Sequence, residues 1–476
     1  MCSKLRIILF TGIFFLSISG LNAQKKWSLQ DCVNFALDNN IRIKQSRINT
    51  LYSENQLNQS KYDLLPNLNA TMGYGVSFGR ALDQTTYEFT QDQTVQSLNP
   101  QISSSVTLFN GLIQKNTIDQ RTWEFKSSLE NLEKLKNDIS LNIAGQYLQI
   151  LFNEELLAVA EEQLEVTTAQ VERTEVLVDA GSLARGSLLE IQAQQAADEL
   201  SVVNAENNLT ISYLTLTQLL ELDSVQGFSI VIPEIEDISE ENLMVSVEQI
   251  YNEAIGILPQ IRAAEYDLEG AREGLEIARG SRMPRLNFTA SYGTGFSDIR
   301  QAVVSTETQT IPIGMTESGE QVFTTSTVPQ YGTYPVTDQF TDNASTSLFL
   351  NLSIPIFNNF QVKNNISNAR MNIDNYRLEL ENQKNILFKD IQQAHADAVA
   401  ALKRFRSSEK ALESMQESFK YTREKYEVGL VNAVEFNIAQ SQLIQTQSEL
   451  LQSKYDFLFK TSILSFYRGR PIKIQK

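Results

Sequence analysis

Side chains suited to covalent or metal chemistry are scarce in this sequence. It contains one histidine, His395, and two cysteines, Cys2 and Cys32. Because Cys2 lies in a predicted signal peptide, Cys32 has no disulfide partner, and we expect a small core residue rather than a reactive thiol. The sequence shows no phosphate loop, nucleophile and base pair, or metal-ligand spacing. It therefore predicts no enzyme, no cofactor and no metal site.

The chemistry that remains is that of carboxylates near helix ends. Glu190 and Glu435 each follow a short turn between two helical patterns, and residues 187 to 194 and 435 to 442 are predicted to form the first turns after these tips. Three copies around one axis would bring six such ends together, and the carboxylates would form a narrow ring that attracts cations. Alternatively, both are ordinary first-turn acids that a helix dipole stabilises by about 0.3 to 1 kcal/mol. Both interpretations stay open.

The element that leads to Glu190 is a long helical pattern from Leu112 to Val178. It has no proline and one glycine, and its apolar residues recur every three or four positions. Its roughly 67 residues would span about 100 Å, so it must pair with other helices. Two shorter patterns, Ser28 to Leu65 and Ser187 to Leu220, match this length when placed end to end. A hairpin at Val178 to Arg185, with its tip at Gly181, joins the long helix to the second of the shorter ones.

The second half of the sequence repeats the first. An offset of 248 residues places Gly181 on Gly429 without a gap, and an upstream offset of 218 places Pro66 on Pro284. The difference of 30 residues indicates an insertion between Tyr292 and Phe357 in an internal two-fold repeat. The predicted organisation is a signal peptide (1–23), a first repeat (24–222), an inter-repeat equatorial segment (223–245), a second repeat (246–467) and a C-terminal tail (468–476).

The N-terminus predicts export from the cytoplasm. Lys4 and Arg6 precede an apolar run, Ile7 to Ile18, and a small-residue cleavage site that ends at Ala23. No later segment offers 18 unbroken apolar residues, so no transmembrane helix is expected. The formal charge of -17 becomes -19 when the two cations of the signal peptide are removed. This acidity argues against a nucleic-acid partner.

Four uncharged runs alternate between apolar and small or polar residues, which is strand periodicity. Their spanning length, the export signal and the aromatic residues near their ends favour transmembrane strands over a soluble sheet. Four strands leave open edges, which lipid excludes, so we expect three copies to share a twelve-stranded barrel above paired helices. The apolar positions are Leu68, Ala70, Met72, Tyr74, Val76 and Phe78; Ile102, Val106 and Leu108; Leu286, Phe288, Ala290, Tyr292 and Phe296; and Leu348, Leu350, Leu352, Ile354 and Ile356.

The connections between these elements differ in composition. Gly79 to Leu98 and Ser297 to Ala344 are polar and are predicted to be external loops, the second carrying the insertion. The segment Asp223 to Met244 contains a short apolar run, Phe228 to Ile232, which predicts a small strand beside the middle of the helices. The tail from Gly469 is expected to join the same layer.

The order of these features, present twice, resembles the TolC family of outer-membrane efflux proteins over the whole mature length. The resemblance implies a homotrimer with a twelve-stranded barrel in the outer membrane and a twelve-helix tunnel in the periplasm. It also implies an entrance that stays shut until an inner-membrane transporter and its periplasmic adaptor dock. The matching features are helix-to-strand stops at 65–69 and 283–287, strand-to-helix turns at 108–111 and 356–359, and helix tips at 178–181 and 427–430. The implied adaptor-docking tips are Gly181, Ser182, Gly429 and Leu430.

The resemblance also implies where the entrance is closed. Family members carry carboxylates six and nine residues after the second tip glycine. Here these positions are Glu435 and Ile438, and the first repeat keeps a carboxylate only at the second position, Glu190. The family also has a tyrosine three residues before the second tip glycine, which is Tyr426 here. The family's arginine two residues after that glycine is replaced by Val431. The predicted constriction is therefore formed by Glu190, Glu435 and Tyr426, without the family's full set of salt links.

These sequence features are compatible with two functions. The first is a passive exit duct of a tripartite efflux or secretion system, in the outer membrane and extending into the periplasm. The alternative is a structural coiled-coil envelope protein or a periplasmic adaptor. The duplicated set of uncharged strands favours the duct, because an adaptor or a spacer has no use for membrane-spanning strands.

Overall fold

The computed structural model of the chain describes residues 26–80, 89, 92–233 and 241–470. The predicted signal peptide and the end of the predicted tail lie outside these residues. The helices are α1 (Leu29–Asn39), α2 (Ile41–Tyr62), α3 (Ile113–Asp179), α4 (Arg185–Leu219), α5 (Val247–Ile255), α6 (Pro259–Gly280), α7 (Val336–Asp342), α8 (Gln361–Glu427) and α9 (Ala433–Tyr467). The strands are β1 (Lys26–Trp27), β2 (Asn69–Gly79), β3 (Gln93–Phe109), β4 (Ser229–Ile230), β5 (Arg285–Gly293), β6 (Phe296–Ser297), β7 (Gln301–Met315), β8 (Gln321–Thr333) and β9 (Ser345–Ser353).

The chain divides into two compact units. The first unit comprises Met1–Asn49, Leu129–Ala263 and Glu381–Lys476, and the second comprises Thr50–Ser128 and Ala264–Leu380. Helices α2, α3, α6 and α8 contribute residues to both units. Within the described ranges, no helix combines the length and the apolar character that a membrane crossing requires.

Six of the described helices form three pairs of equal length. Helices α3 and α8 contain 67 residues each, and α4 and α9 contain 35 each. From Ile113 to Gln361, and from Arg185 to Ala433, the offset is the predicted 248 residues. Helices α2 and α6 contain 22 residues each, and their offset is the predicted 218. The lengths agree with a duplication, which itself stays a prediction.

The helix predicted from Ser28 to Leu65 is interrupted at Asn40. The side-chain oxygen of Asn40 accepts hydrogen bonds from the backbone N–H groups of Arg42 (3.0 Å) and Ile43 (3.4 Å), so this residue caps α2. Its amide group donates to the carbonyl of Leu219 at 3.3 Å. The prediction of one continuous helix was wrong, because Asn40 leaves the helical conformation, with ψ at 128°, and caps a new helix while its amide contacts Leu219.

The core of the first unit packs around α3. Tyr147 is buried there, and its hydroxyl donates to the carbonyl of Val231 at 2.5 Å and lies 3.2 Å from the carbonyl of Trp27. These carbonyls belong to the segments of β1 and β4, which pair in parallel, so Tyr147 attaches this pair to α3. The small strand predicted within Phe228 to Ile232 is thus observed as β4. Other large buried side chains of this core are Ile43, Ile143, Ile150, Leu151, Leu216 and Leu220.

The second unit contains an antiparallel sheet in the order β2-β3-β5-β9. Its register places Ile102 opposite Tyr292, and Phe288 opposite both Val106 and Leu350. Directly opposed residues share a face, so the apolar positions of the four runs form one continuous face and Ser, Thr, Asn and Gly dominate the other. Strands β2 and β9 lie at the ends of this order, and each therefore presents one open edge.

The strands differ from the predicted runs at their ends. Strand β3 begins at Gln93, so the first connection is shorter than the predicted loop Gly79 to Leu98. The third run is interrupted after Gly293, and the hydroxyl of the next residue, Thr294, donates to the carbonyl of Phe340 at 2.7 Å. The fourth run ends at Ser353, and the predicted apolar positions Ile354 and Ile356 follow it.

The insertion in the second half has its own secondary structure. Strands β7 and β8 form a hairpin whose turn contains Gly319 (φ 84°), and α7 follows it. The side chain of Gln339 in α7 is buried and accepts a hydrogen bond from the backbone of Ser297 at 3.0 Å while donating to its carbonyl at 3.1 Å. The predicted loop Ser297 to Ala344 is therefore a hairpin and a helix anchored on β6.

The first strand-to-helix turn depends on close backbone contact. Gly111 adopts a φ of 70°, and a Cβ atom there would lie 2.4 Å from the carbonyl oxygen of Gly280. A side chain at either glycine would separate α6 from the start of α3, which explains why glycine occupies both positions.

Candidate functional site: the helix-hairpin tips

The first hairpin tip lies between α3 and α4. Gly181 has a φ of 74°, and its N–H donates to the carbonyl of Val178 at 2.9 Å. The N–H of Ser182 donates to the carbonyl of Leu177 at 2.8 Å, which completes a Schellman motif at the end of α3. Gly181 and Ser182 are both exposed. The motif presents these two residues at the free end of the hairpin.

The second tip repeats this geometry between α8 and α9. Gly429 has a φ of 77°, and its N–H donates to the carbonyl of Tyr426 at 3.0 Å. The N–H of Leu430 donates to the carbonyl of Lys425 at 2.8 Å. Leu430 is 75% exposed, and its neighbour Val428 is 70% exposed, so two apolar side chains face solvent at this tip.

Glu435 lies in the first turn of α9, as predicted. The side-chain oxygen of Asn432, the N-cap residue, accepts a hydrogen bond from the N–H of Glu435 at 2.9 Å. The amide of Asn432 in turn donates to the Glu435 carboxylate at 3.1 Å. The carboxylate is exposed and held beside the positive end of the helix dipole, so its position fits the interpretation as a capping acid as well as a role at the entrance.

Glu190 is not a first-turn residue. Helix α4 begins at Arg185, two residues before the predicted start, and its N-cap residue Ala184 makes no side-chain cap. Glu190 therefore lies in the second turn, where the dipole effect has largely decayed. The sequence suggested a later start because Ser187 resembles an N-cap residue. Because of this position, the helix dipole offers little reason for an acid here. The Glu190 carboxylate is exposed.

Tyr426 packs inside its own hairpin. Its ring stacks on that of Phe436, with centroids 4.7 Å apart and planes inclined by 27°. The ring of Phe419 also contacts Phe436, with centroids 5.4 Å apart. Phe436 is buried, whereas Tyr426 is half-buried. This cluster joins the last turns of α8 to the first turn of α9. The structure therefore brings Tyr426 to the same end of the hairpin as Glu435.

The aromatic cluster that Tyr426 and Phe419 form around Phe436 was not predicted from the sequence. Phe419 precedes Tyr426 by seven residues on α8, which is the spacing of a coiled-coil seam and could have identified the pair. Phe436 gave no such indication, because its contact depends on how α9 returns along α8.

The groups that could have supported other chemistry lie elsewhere. Cys32 is a fully buried free thiol, and burial raises its pKa to about 12. Among the described residues, no group of three or more His, Cys, Asp or Glu side chains is placed to hold a metal ion.

An antiparallel sheet with one continuous apolar face, together with two long helical hairpins ending in matched tips, defines a class of outer-membrane channel. Comparison with known proteins agrees. The profile of the outer membrane efflux protein family matches residues 32–221 and 250–462, which is most of the chain. The chain belongs to this family. Membership places it in the outer membrane and among channels rather than enzymes.

Individual relatives are distant. The chain is 21% identical to outer membrane protein TolC of Escherichia coli (strain K12), over 93% of this chain and 82% of that protein. It is 22% identical to toxin and drug export protein A of Aggregatibacter actinomycetemcomitans, over 72% of this chain and 66% of that protein. An uncharacterised protein of Haemophilus influenzae is 25% identical, over 58% of this chain and 60% of that protein. The chain therefore spans less than two thirds of two of these relatives.

Solved structures show the same fold. The Campylobacter jejuni CmeC outer membrane channel superimposes with a TM-score of 0.73 at 14% identity, covering 94% of this chain and 87% of that chain. A CusC structure superimposes with a TM-score of 0.72 at 17% identity, covering 93% of this chain and 92% of that chain. The predicted membership of the TolC family is confirmed. The family assignment also places the chain among outer membrane efflux proteins rather than among structural spacers or adaptors.

Proposed function

We propose that three copies of this chain form the exit duct of a tripartite efflux or secretion system, which conducts substrates passively from the periplasm to the outside. The twelve strands of three sheets would close one barrel in the outer membrane. The helices of both predicted repeats would continue it as a coiled-coil tunnel in the periplasm. The predicted division into two repeats, 24–222 and 246–467, around the segment 223–245 belongs to this proposal.

The observation that carries the proposal is the antiparallel sheet ordered β2-β3-β5-β9, with an apolar face and two open edges. Leu348, Leu350 and Leu352 on the edge strand β9 are 57% to 66% exposed, and Met72 and Tyr74 on the opposite edge strand β2 are 64% to 70% exposed. Such a surface is unfavourable in water and suits lipid. In lipid an open edge leaves backbone groups unpaired at a cost of several kcal/mol each, about the value for a buried unpaired amide. Pairing of β2 with β9 of the next copy would satisfy the backbone groups of both edges, while lipid covers the apolar face.

The tips are the proposed entrance. Gly181, Ser182, Gly429 and Leu430 would dock a periplasmic adaptor that links the duct to an inner-membrane transporter. Exposed Leu430 supports an apolar contact there. Glu190, Glu435 and Tyr426 would form the constriction, the carboxylates by attracting cations and the ring of Tyr426 by holding its hairpin closed.

Oligomeric state in detergent tests the assembly. Purified without its signal peptide, the chain should give the mass of a trimer by light scattering, with protein and detergent contributions separated. The trimer should keep its sheet and helix signals in mild denaturant. A folded monomer with intact strands contradicts the shared barrel, because its two edges would then be stable alone.

Adaptor docking is tested separately in cells. Photo-crosslinking residues placed at Ser182 and Leu430 should capture a periplasmic adaptor, identified by mass spectrometry. The control position is Gly319 in the β7–β8 turn, which should capture none. Capture of cell-wall or extracellular components alone at Ser182 and Leu430 contradicts a periplasmic entrance.

A further inference from the structure

A buried carboxylate lies within the first hairpin, eight residues beyond Glu190 on α4. Asp198 is 6% exposed. Its Oδ2 accepts hydrogen bonds from the hydroxyl of Thr167 at 2.6 Å and from the amide of Gln163 at 3.2 Å, both on α3. Its Oδ1 accepts from the amide of Gln194 at 2.9 Å. These partners are neutral donors, so the carboxylate is satisfied by hydrogen bonds rather than by a cation. We call Asp198 and these three partners the polar layer of the first hairpin.

Beside Asp198, the amide of Gln195 also donates to the hydroxyl of Thr168 on α3 at 3.1 Å, but few large apolar side chains are buried in this part of the interface. Four buried residues of α4, Ile191, Asp198, Ala205 and Ser212, follow a strict seven-residue spacing, as in a coiled-coil seam; Leu216 and Thr217 are buried nearer the end of the helix. Only Ile191 among these four is a large apolar side chain. Because apolar burial is non-directional and scales with area, this seam alone would constrain the rotation of α4 weakly. Hydrogen bonds demand specific distances and angles, and a buried polar residue in such a seam is known to specify register.

The second hairpin lacks this layer. With the offset of 248 residues, Asp198 corresponds to Thr446 and Thr167 to Met415. The hydroxyl of Thr446 donates to the carbonyl of Gln442 on its own helix at 2.8 Å. The two hairpins are therefore held differently: the first by a polar layer between its helices, the second by the aromatic cluster around Phe436.

We propose that Asp198 is a positioning residue that sets the rotation of α4 about its own axis and thereby the direction in which the Glu190 carboxylate points. Eight residues at 100° each place Glu190 about 80° around the helix from Asp198. As Asp198 faces α3, Glu190 projects from the flank of the hairpin, which agrees with its exposure. A rotation of α4 would break two cross-helix hydrogen bonds and bury a carboxylate without partners, which is strongly unfavourable. The functional part of this inference rests on the proposed entrance.

Spin-label distances test the orientation directly. Labels on cysteines at positions 161 and 190, in a cysteine-free background diluted with unlabelled protein, should give one narrow distance distribution. Asp198→Thr, the residue found at 446, should lose this single narrow distance, because threonine can bond back along its own helix. Thr167→Val, which removes the shortest donor, should do the same. Asp198→Asn keeps an acceptor oxygen and should retain the narrow distance, as should Glu199→Gln, which removes the charge of an exposed neighbour.

The outcomes separate orientation from stability. Circular dichroism establishes which variants are folded. A narrow distance in folded Asp198→Thr or Thr167→Val overturns the proposal, and so does equal broadening in Asp198→Asn, because the acceptor geometry would then not matter. If Asp198→Thr does not fold, Thr167→Val decides.

Ion selectivity provides the readout that a purely structural role would not move. In planar bilayers, Asp198→Thr should shift the reversal potential in the same direction as Glu190→Ala, and should add nothing in the Glu190→Ala background. An additive shift would mean that Asp198 does not act through Glu190. If the protein forms no channel, the proposed duct fails, whereas the distance measurements still test the role of Asp198.

Discussion

The ring of Tyr426 stacks on that of Phe436 at 4.7 Å, and this contact joins the end of α8 to the start of α9 within one chain. The first contact of Tyr426 is therefore within its own hairpin, where it joins the two helices. A contact with a neighbouring chain is a separate question, which mutation can address.

Loss of the ring at position 426 should loosen the second hairpin. Tyr426→Ala should raise the resting conductance in planar bilayers, because the stacked pair contributes about 0.5 to 1.5 kcal/mol beyond area burial. Tyr426→Phe should keep the wild-type conductance, since the stack does not require the hydroxyl. The matched control is Val178→Ala in the first hairpin, at the equivalent position. If Tyr426→Ala lowers only the melting temperature of the trimer, the residue is an ordinary core aromatic.

Removal of both carboxylates at the tips should reduce cation selectivity. We expect Glu190→Ala with Glu435→Ala to lower the ratio of cation to anion permeability and to weaken block by multivalent cations. Stability should change by under about 1 kcal/mol, because exposed acids near helix ends contribute little. Wild-type selectivity and block in the double variant would place the charged ring elsewhere.

The two acids should differ in their effect on the helix. Glu435 receives a hydrogen bond from the N-cap residue Asn432, whereas Glu190 lies in the second turn without such a partner. Asn432→Ala should therefore destabilise the second hairpin by about 1 kcal/mol, as for other N-cap losses. Chemical denaturation of the detergent-solubilised trimer measures this. The comparison variant Glu190→Gln should leave the unfolding midpoint unchanged.

The β7–β8 turn and the helix-hairpin tips should be exposed on opposite sides of the outer membrane. An epitope inserted at Gly319, in the exposed turn between β7 and β8, should bind antibody on intact cells. The same epitope at Ser182 should bind only after the outer membrane is permeabilised. Equal labelling of the two on intact cells would contradict the assignment of the hairpin tips to the periplasm.

Cys32 should be inert in the folded protein. Its side chain is fully buried and its pKa is raised to about 12, so almost no reactive thiolate exists near neutral pH. A thiol reagent that releases a coloured product should detect no thiol in the native mature chain and one after denaturation. Rapid labelling of the native protein would mean that the packing of α1 on the core opens readily.

The sequence by itself determined the features that depend on local periodicity. The long helix predicted from Leu112 to Val178 is observed as Ile113–Asp179, and the predicted offset of 248 residues relates it to Gln361–Glu427. The tips at Gly181 and Gly429 were predicted correctly, because a left-handed residue after a helix strongly favours glycine. Each of these features follows from neighbouring residues along the chain.

Only the tertiary structure decided the features that depend on contacts between distant segments. At the break after α1, the amide of Asn40 reaches the carbonyl of Leu219, and in the insertion Gln339 of α7 is hydrogen-bonded to Ser297. The burial of Asp198 requires α4 to return along α3, where Thr167 donates to it. An aspartate within a polar helical pattern normally predicts a solvated face. Hydrogen bonds between helices have no counterpart in the periodicity of either helix, so the sequence pattern alone gives no sign of them.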